Sequence, residues 1–317
     1  MTDTQNEVFK TPVNKIRLFE HGAPGSQNFK LTRKYYTEDM PDGRVKHIVQ
    51  NITDPDIVPY IPDGIGNSTD RQRIPAVLII PGGAFRRLVY NFEGEDVAKW
   101  LNSMGIAAFV LECRLPSDEH DNAEDVPLID AMRAMRDIRG RAQEFGIDEA
   151  KIGVMGFSAG GFMAALLSTA YESDVYADYK YKDEYDKLSA RPDFAVCSYP
   201  VISIDDCIEA GKRYMSEEQV LERISDSKAK ILHKYNPDKL VRPDMPPVFI
   251  CETDDDRTTL SENSVGFYMA ARKAGVSAEL HIFRTGGHGY GCGDDFAQTG
   301  EWKVLFTKWI KSIGIIS

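Results

Sequence analysis

Residues 151–161 read Lys-Ile-Gly-Val-Met-Gly-Phe-Ser-Ala-Gly-Gly, and this stretch predicts a strand, a sharp turn and a helix. Residues 152–155 are typical of a short buried strand, and residues 162–167 are compatible with a helix. Between them, Gly-Phe-Ser-Ala-Gly matches G-x-S-x-G, a pattern that holds a serine hydroxyl exposed on a sharp strand-to-helix turn. The N–H groups at the start of the helix favour negative charge developing there. We interpret Ser158 as a nucleophile; the alternative is a glycine-rich turn without a chemical role.

An upstream loop offers hydrogen-bond donors for such a nucleophile. The apolar strand 76–80 leads into Pro-Gly-Gly-Ala-Phe at residues 81–85. In acyl-transfer enzymes, N–H groups of such a loop form half of an oxyanion hole, and the N–H after the nucleophile forms the other half. The sequence therefore predicts Gly83, Ala84 and Ala159 as oxyanion donors. The alternative for the loop is an ordinary tight turn.

Two downstream segments supply an acid and a histidine. Strand 247–251 ends in Glu-Thr-Asp-Asp-Asp at residues 252–256, and strand 278–283 leads to His288 in a glycine-rich loop. The chain order serine, acid, histidine is one of the known triad orders. Alternating strands and helices predict a mostly parallel sheet with helices on both faces, whose strand-end loops meet at one edge. The alternative for the acidic run is a solvated turn or a helix start. The alternative for His288 is a loop histidine without a chemical role.

Composition excludes several kinds of partner. The 317 residues carry a formal net charge of −11, which argues against nucleic acid and anionic membrane surfaces. No apolar run is long enough to span a membrane. The first residues are polar and acidic, unlike a signal peptide, so we expect a cytoplasmic protein. Cysteine and histidine spacing indicates no metal site, and we predict no metal and no organic cofactor.

The chain is expected to form a single domain over residues 1–317, because no linker divides it. Residues 1–40 are predicted to wrap the surface as an arm, and 44–52 and 56–61 to be edge strands. Residues 171–187, rich in charge and tyrosine, are predicted to be a solvated excursion. Residues 204–243 hold one or two short helices, such as 217–224, and are either a small cap over the site or a surface ornament. Helix 127–145 is expected to turn its arginines outward. Helix 261–274 is expected to bury an apolar stripe made of Val265, Tyr268, Met269 and Ala271.

The chain resembles an α/β-hydrolase of the branch that contains bacterial acetyl-xylan esterases and related carbohydrate esterases. The similar stretches lie at residues 18–25, 81–83, 93–102, 114–116, 153–161, 262–264 and 286–289. This resemblance covers most of the chain from about residue 18. It implies an α/β-hydrolase fold with a Ser-Asp-His triad, but only suggests a substrate, because one fold hosts many activities.

Three departures from the family pattern bear on the site, and one of them concerns the acid: the family pattern is like Asp-x-Val-Val, where this chain has Asp-Arg-Thr-Thr at residues 256–259. The family loop usually reads Pro-Gly-Gly-Gly-Tyr, where this chain has alanine and phenylalanine at positions 84 and 85. The family often carries Asp-His-Glu-Gly, where this chain has Asn-Phe-Glu-Gly at 91–94, so a polar group near the acyl or sugar site is expected to be lost. The downstream Glu-Asn-Ser places the triad acid at Asp256, with Asp255 as a competitor one residue away.

Together these features predict a serine carboxylester hydrolase that works through an acyl-enzyme. Ser158 is its nucleophile, His288 its general base and acid, and Asp256 orients the histidine. The expected substrate is a small-molecule or oligosaccharide ester, most simply an acetyl group on a sugar. The alternatives are a lipase-like esterase for longer acyl chains, a peptidase or amidase on the same fold, and a catalytically silent binding protein.

Overall fold

The computed structural model describes residues 9, 13–64, 73–118, 120–216, 218–220, 227–293 and 298–317. The strands of this part of the chain are β1 (Ile16–Arg17), β2 (Lys34–Asp39), β3 (Val45–Gln50), β4 (Asp56–Tyr60), β5 (Ile74–Ile80), β6 (Leu88–Val89), β7 (Ala107–Glu112), β8 (Ile147–Phe157), β9 (Ala195–Ser198), β10 (Val248–Thr253) and β11 (Ala278–Phe283). Its α-helices are α1 (Asp96–Ser103), α2 (Val126–Gly140), α3 (Ala142–Phe145), α4 (Ala159–Ala170), α5 (Ile204–Tyr214), α6 (Ser227–Lys234), α7 (Ser261–Lys273) and α8 (Trp302–Ser312).

The central sheet has eight strands in the order β1-β4-β7-β5-β8-β9-β10-β11. All neighbours from β7 to β11 are parallel, whereas β4 runs antiparallel to both β7 and β1. Parallel strands covered on both faces need apolar side chains in both directions, and β7 and most of β5 are accordingly buried. The predicted α/β class and mostly parallel sheet are confirmed.

Helices cover the sheet in two layers. The first contains α1 and α8, which meet through Trp100, Trp302 and Phe306, with ring centroids 4.9 and 5.4 Å from that of Trp100. In the second, α2 packs against α4, which follows β8 directly. The crossovers bring the carboxyl ends of β5, β8, β10 and β11 to one edge of the sheet. Each of the four predicted site segments begins at one of these strand ends.

The prediction that residues 1–40 wrap the surface as an arm was only partly correct. Residues 1–8 and 10–12 lie outside the described residues, but β1 pairs with β4 in the central sheet. Strand β2 pairs with β3 in a second, antiparallel sheet that β6 completes. The predicted edge strand 44–52 contains β3, which lies between β2 and β6 and is therefore not an edge strand. Strand β4 lies between β1 and β7 and is not an edge strand. Leu18 and Phe19 are buried in the core, because the chain after β1 turns under the loop that follows α4.

Two further expectations about exposed surfaces were wrong. Three tyrosines of the predicted solvated excursion, Tyr171, Tyr176 and Tyr179, are buried, since their rings pack on the core while their hydroxyls reach polar partners. Arg133 of α2 points inward and is paired with carboxylates, so not every arginine of that helix faces outward.

The inward face of α7 also differs from the predicted stripe. Of the predicted stripe, Ala271 is buried, but Val265 and Met269 are exposed, at 39% and 59%. Phe267 and Asn263 are buried on the inward face instead. Asn263 faces inward because its Oδ1 accepts hydrogen bonds from the backbone N–H groups of Ile202 and Ser203. A polar residue therefore sets the rotation of this helix.

The 204–243 segment contains α5 and α6, while most of the predicted helix 217–224 lies outside the described residues. Lys234 at the end of α6 and the adjacent Tyr235 both bind the carboxylate of Asp125, just before α2. The segment is thus anchored near the carboxyl edge of the sheet. Its role as a cap and the single-domain organisation stay predictions.

Candidate active site

Ser158 lies on the turn between β8 and α4 with φ 54° and ψ −118°. A positive φ is costly for a residue with a Cβ, so the surrounding packing must hold this conformation. The two glycines of the motif allow that packing. A Cβ at Gly156 would overlap the carbonyl of Gly160, and a Cβ at Gly160 would overlap the carbonyl of Ile80. The two glycines of G-x-S-x-G are therefore required by close backbone contacts at this turn.

His288 follows β11 and reaches the serine. Its Nε2 lies 2.8 Å from Ser158 Oγ, and its Nδ1 lies 2.6 Å from Asp256 Oδ2. Because Nδ1 faces a carboxylate, we assign the proton of the neutral ring to Nδ1, which leaves the Nε2 lone pair directed at the serine hydroxyl. The structure thus brings three predicted residues into one continuous chain of hydrogen bonds.

Two neighbouring acids support the histidine in different ways. Asp256 is buried, and its Oδ1 accepts hydrogen bonds from the N–H groups of Thr258 and Thr259 at 2.7 and 2.9 Å. Asp255 is exposed and accepts a hydrogen bond from the N–H of Gly287 at 2.8 Å. The ring partner is therefore Asp256, while Asp255 holds the backbone of the loop that carries His288.

The residues predicted as oxyanion donors lie beside the serine turn. Ala84 and Phe85 have φ values of 57° and 59°, and Gly83 has φ 139°. The loop is held by hydrogen bonds to the carbonyls of Gly82 and Gly83 from Val89 and Arg86. Among the described residues, no protein acceptor takes the N–H groups of Gly83, Ala84 or Ala159. These donors are available to a ligand, and their catalytic role stays a prediction.

Glu93 ties this loop to the rest of the site, and the sequence did not predict it. Its Oε2 accepts a hydrogen bond from the N–H of Gly82 at 2.9 Å, and its Oε1 accepts one from the Tyr199 hydroxyl, also at 2.9 Å. Burial raises the pKa of Glu93, against the opposing effect of the Tyr199 hydrogen bond. Glu93 belongs to the 93–102 stretch of the family resemblance, which was the available signal.

Tyr199 extends the network to the histidine loop. Its hydroxyl accepts a hydrogen bond from the N–H of Gly291 at 3.0 Å, and its ring centroid lies 5.1 Å from that of His288. Burial, and next the charge of Glu93, raise the pKa of Tyr199 well above its ordinary value. We name Glu93 and Tyr199 the loop clamp, because they join the 82–85 loop to the 288–291 loop through buried hydrogen bonds.

The family's Asp-His pair is replaced by Asn91 and Phe92, and Asn91 has a structural contact here. Its side chain accepts a hydrogen bond from the N–H of His47 and donates one to the carbonyl of Val45. It therefore fastens the π-helical turn Asn91–Glu95 to β3. This turn is what directs Glu93 inward.

A small cavity lies next to the serine turn. Its volume is about 10 Å³, roughly one water probe. Gly82, Ala159 and Gly160 line it on the side of the turn, and Phe85, Leu88, Cys113 and Met163 are among the side chains that close it. The cavity is almost entirely apolar, so it suits a small apolar group attached to a carbonyl held at the turn.

The described residues contain neither a metal-binding cluster nor a membrane-spanning helix. Within the described ranges, no group of three or more histidine, cysteine or acidic residues could hold a metal ion. None of the helices described here is long and apolar enough to cross a membrane. Cys113, Cys197 and Cys251 are buried free thiols, and burial raises the pKa of each.

The fold and this arrangement define an α/β-hydrolase with the residues of a serine hydrolase. The model of the BD-FAE family matches residues 65–270, which include Ser158 and Asp256, and the chain belongs to this family.

Relatives agree with this class. An acetylxylan esterase of Xylanibacter ruminicola is 31% identical over 240 residues, which are 75% of this chain and 45% of that protein. This chain therefore spans less than half of that relative's length. An acetyl ester-xyloside bifunctional hydrolase of Caldicellulosiruptor lactoaceticus is 35% identical with a TM-score of 0.69, covering 96% of this chain and 97% of that one. A Lactobacillus plantarum carboxylesterase, 20% identical with a TM-score of 0.66 over 90% and 99% of the two chains, shares the fold.

Proposed function

We propose that the protein is a serine carboxylester hydrolase that removes short acyl groups, in particular acetyl, from sugars or oligosaccharides. The observation that carries the proposal is the hydrogen-bond chain from Ser158 through His288 to Asp256, at 2.8 and 2.6 Å. It lies beside backbone N–H groups that have no protein acceptor among the described residues. A serine activated by a histidine whose other nitrogen is held by a buried carboxylate is the arrangement that acyl transfer requires.

In the first half of the reaction, Ser158 Oγ attacks the ester carbonyl carbon while His288 Nε2 accepts its proton. Asp256 stabilises the resulting imidazolium through Nδ1–H. The carbonyl oxygen becomes an oxyanion, which the N–H groups of Gly83, Ala84 and Ala159 stabilise. The intermediate collapses when the carbon–oxygen bond to the alcohol breaks, and His288 returns the proton to the leaving oxygen.

In the second half, water attacks the acyl-enzyme carbonyl and gives a proton to His288. The same donors stabilise the second oxyanion. Breaking the acyl bond to Ser158 releases the acid, and His288 returns the proton to Oγ. Residues of this chain supply every proton transfer in both halves.

The cavity beside the serine turn supports a short acyl group. A volume of about 10 Å³ accommodates about a methyl-sized group, and Phe85, Leu88 and Met163 are among the residues that enclose it. Each methylene is worth only about 1–3 kcal/mol of discrimination, so selectivity should build over several carbons. The names of two relatives, an acetylxylan esterase and an acetyl ester-xyloside hydrolase, support acetylated xylose units as the substrate class.

Two substrate series test this proposal. Along p-nitrophenyl esters, kcat/KM should fall from acetyl to butyryl and be very low for octanoyl. Acetylated xylo-oligosaccharides should release acetate at rates that depend on enzyme concentration. A preference for octanoyl over acetyl would support the lipase-like alternative. Absence of acetate release from any acetylated sugar, with p-nitrophenyl acetate still cleaved, would rule out the sugar ester.

A further inference from the structure

A second cavity, of about 310 Å³, lies beside α2. Its floor consists of buried residues from three segments: Leu18 and Phe19 after β1, Arg133 of α2, and Tyr179 from the loop after α4. Its rim consists of the exposed residues Glu20, His21, Tyr181, Lys182 and Asp183. We call it the α2 pocket. It shares no residue with the hydrogen-bond chain around Ser158, and its volume falls in the range of ligand sites.

One wall of the α2 pocket is a set of aromatic rings in fixed contact. The centroids of Phe19 and Tyr179 are 5.5 Å apart, those of Tyr179 and Tyr181 5.8 Å, and those of Tyr181 and His21 4.7 Å. Tyr179 is held further by its hydroxyl, which donates to the carbonyl of Gly22. Tyr181 remains 42% exposed, and the Lys180 ammonium lies 4.8 Å from its ring centroid. Such a ring offers a preformed apolar platform for a flat ligand face.

The charges of the α2 pocket are already compensated. Arg133 pairs with Asp183 at 2.6 Å, with Asp186 at 2.9 Å and with Asp137 at 3.0 Å. An anion would compete with three carboxylates for this guanidinium. At the rim, Glu20 adds a negative charge and Lys182 adds a positive charge. Hydroxyl groups can donate to carboxylates and accept from an ammonium group, so the lining suits a neutral polyhydroxylated ligand.

The α2 pocket lies close to the small cavity next to the serine turn. The ring centroid of Phe19 lies 5.9 Å from the Arg133 guanidinium carbon and 6.0 Å from that of Arg114. Arg114 also lines the small cavity beside the serine turn. Its partner Asp130 precedes Arg133 by one helical turn, about 4.5 Å along α2. Phe19 and Arg114 therefore form part of the wall between the two cavities.

From these contacts, we propose that the α2 pocket binds a neutral sugar unit of an oligosaccharide, separately from the ester-cleaving site. This inference rests on the proposed function for the choice of sugar. A ring stacked on Tyr181 would retain the saccharide chain near the enzyme and raise the effective concentration of its acetylated units. The pocket should therefore change KM for oligomeric substrates and leave kcat unchanged.

Binding is tested with unacetylated linear xylohexaose by isothermal titration calorimetry, which needs no ester chemistry. Tyr181→Ala should raise Kd at least tenfold, equivalent to about 1.4 kcal/mol, and Tyr181→Trp should retain binding. The matched control is Tyr268→Ala on α7, at the other end of the sheet, which should leave Kd unchanged. The inference is overturned if the wild type shows no saturable binding at millimolar xylohexaose, or if Tyr181→Ala and the control behave alike.

Kinetics separate this inference from the proposed function. Tyr181→Ala should raise KM for acetylated xylo-oligosaccharides several-fold while kcat, and kcat/KM for p-nitrophenyl acetate, stay at the wild-type values. A wild type that cleaves no acetylated saccharide yet binds xylohexaose through Tyr181 would contradict only the proposed function. A wild type that cleaves acetylated xylo-oligosaccharides with the same KM as Tyr181→Ala would contradict only the α2 pocket.

Discussion

Replacing Glu93 by alanine should disable the loop clamp and lower the reaction rate without touching any residue of the hydrogen-bond chain. The change removes both acceptors of a buried carboxylate, leaving the N–H of Gly82 and the hydroxyl of Tyr199 unpaired. A buried donor without a partner costs about 1–3 kcal/mol, so two of them should lower the free energy of unfolding by about 2–6 kcal/mol.

The catalytic effect follows from the neighbourhood of Gly82. The next two residues, Gly83 and Ala84, carry the proposed oxyanion donors, so a shift of Gly82 displaces them. Losing one oxyanion donor costs about 10²–10³ in kcat, and a displacement of about 1 Å costs about 10². We therefore expect kcat of Glu93→Ala to fall by about 10²-fold or more, with a small change in KM.

The change in kcat is measured by stopped-flow hydrolysis of p-nitrophenyl acetate. The change in the free energy of unfolding is measured on the same preparation by urea unfolding monitored by fluorescence. Glu93→Gln keeps an acceptor for Gly82 and should retain more activity than Glu93→Ala. The matched control is Glu95→Ala, which removes a neighbouring acid whose partner is the exposed Lys99. A kcat of Glu93→Ala within twofold of the wild-type value would contradict the role of the loop clamp. So would an equal loss of kcat in Glu95→Ala.

The other predictions concern the hydrogen-bond chain and acid stability. Ser158→Ala should lower turnover of p-nitrophenyl acetate by about 10⁶-fold in a folded protein, and a variant that keeps a tenth of the wild-type rate would contradict the nucleophile. Asp256→Asn should cost about 10⁴-fold and Asp255→Asn much less; the reverse order would make Asp255 the acid. Burial, and next Arg114, lower the pKa of His120 to about 4. The unfolded chain therefore binds this proton at higher pH, and the free energy of unfolding should fall as pH drops from about 6.5 towards 4. In urea titrations His120→Gln should flatten this fall, whereas the exposed-site variant His233→Gln should not.

Much of the fold followed from the sequence because buried parallel strands leave a strong pattern. Strand β5 runs from 74 to 80 where 76–80 was predicted, and the buried apolar half of β8 contains the predicted strand 152–155. Chain order and crossover handedness then placed Ser158 and His288 at one edge. Local pattern and general topology were sufficient for these two residues.

Residues whose positions depend on tertiary packing were harder to predict. Asp255 and Asp256 are neighbours of the same type, and only the turn after β10 decides which carboxylate meets the ring. Glu93 faces inward because a π-helical turn precedes α1, and hydrophobic periodicity carries no sign of such a turn. The role of Tyr199 depends on residues distant in sequence, since its partners are Glu93 and Gly291.

The tyrosine-rich loop after α4 shows a different limit. Composition suggested a solvated segment, because charged residues alternate with tyrosines from 171 to 187. In the structure, the tyrosine rings contribute to the core while the hydroxyls of Tyr171 and Tyr176 meet carboxylates. An amphipathic side chain can satisfy both environments, so composition alone does not decide on which side of the surface it lies.

The crowding around the serine turn determines where a protein engineer could introduce diversity. A Cβ at Gly82 would overlap the carbonyl of Phe157 and approach the side chains of Glu93 and Ser158. Randomised libraries that include this glycine, or the two glycines of the serine motif, should consist mostly of inactive clones. Phe85, Leu88 and Met163 instead line the small cavity, so smaller residues there should enlarge it. Directed evolution towards larger acyl groups should therefore select changes at these three positions first.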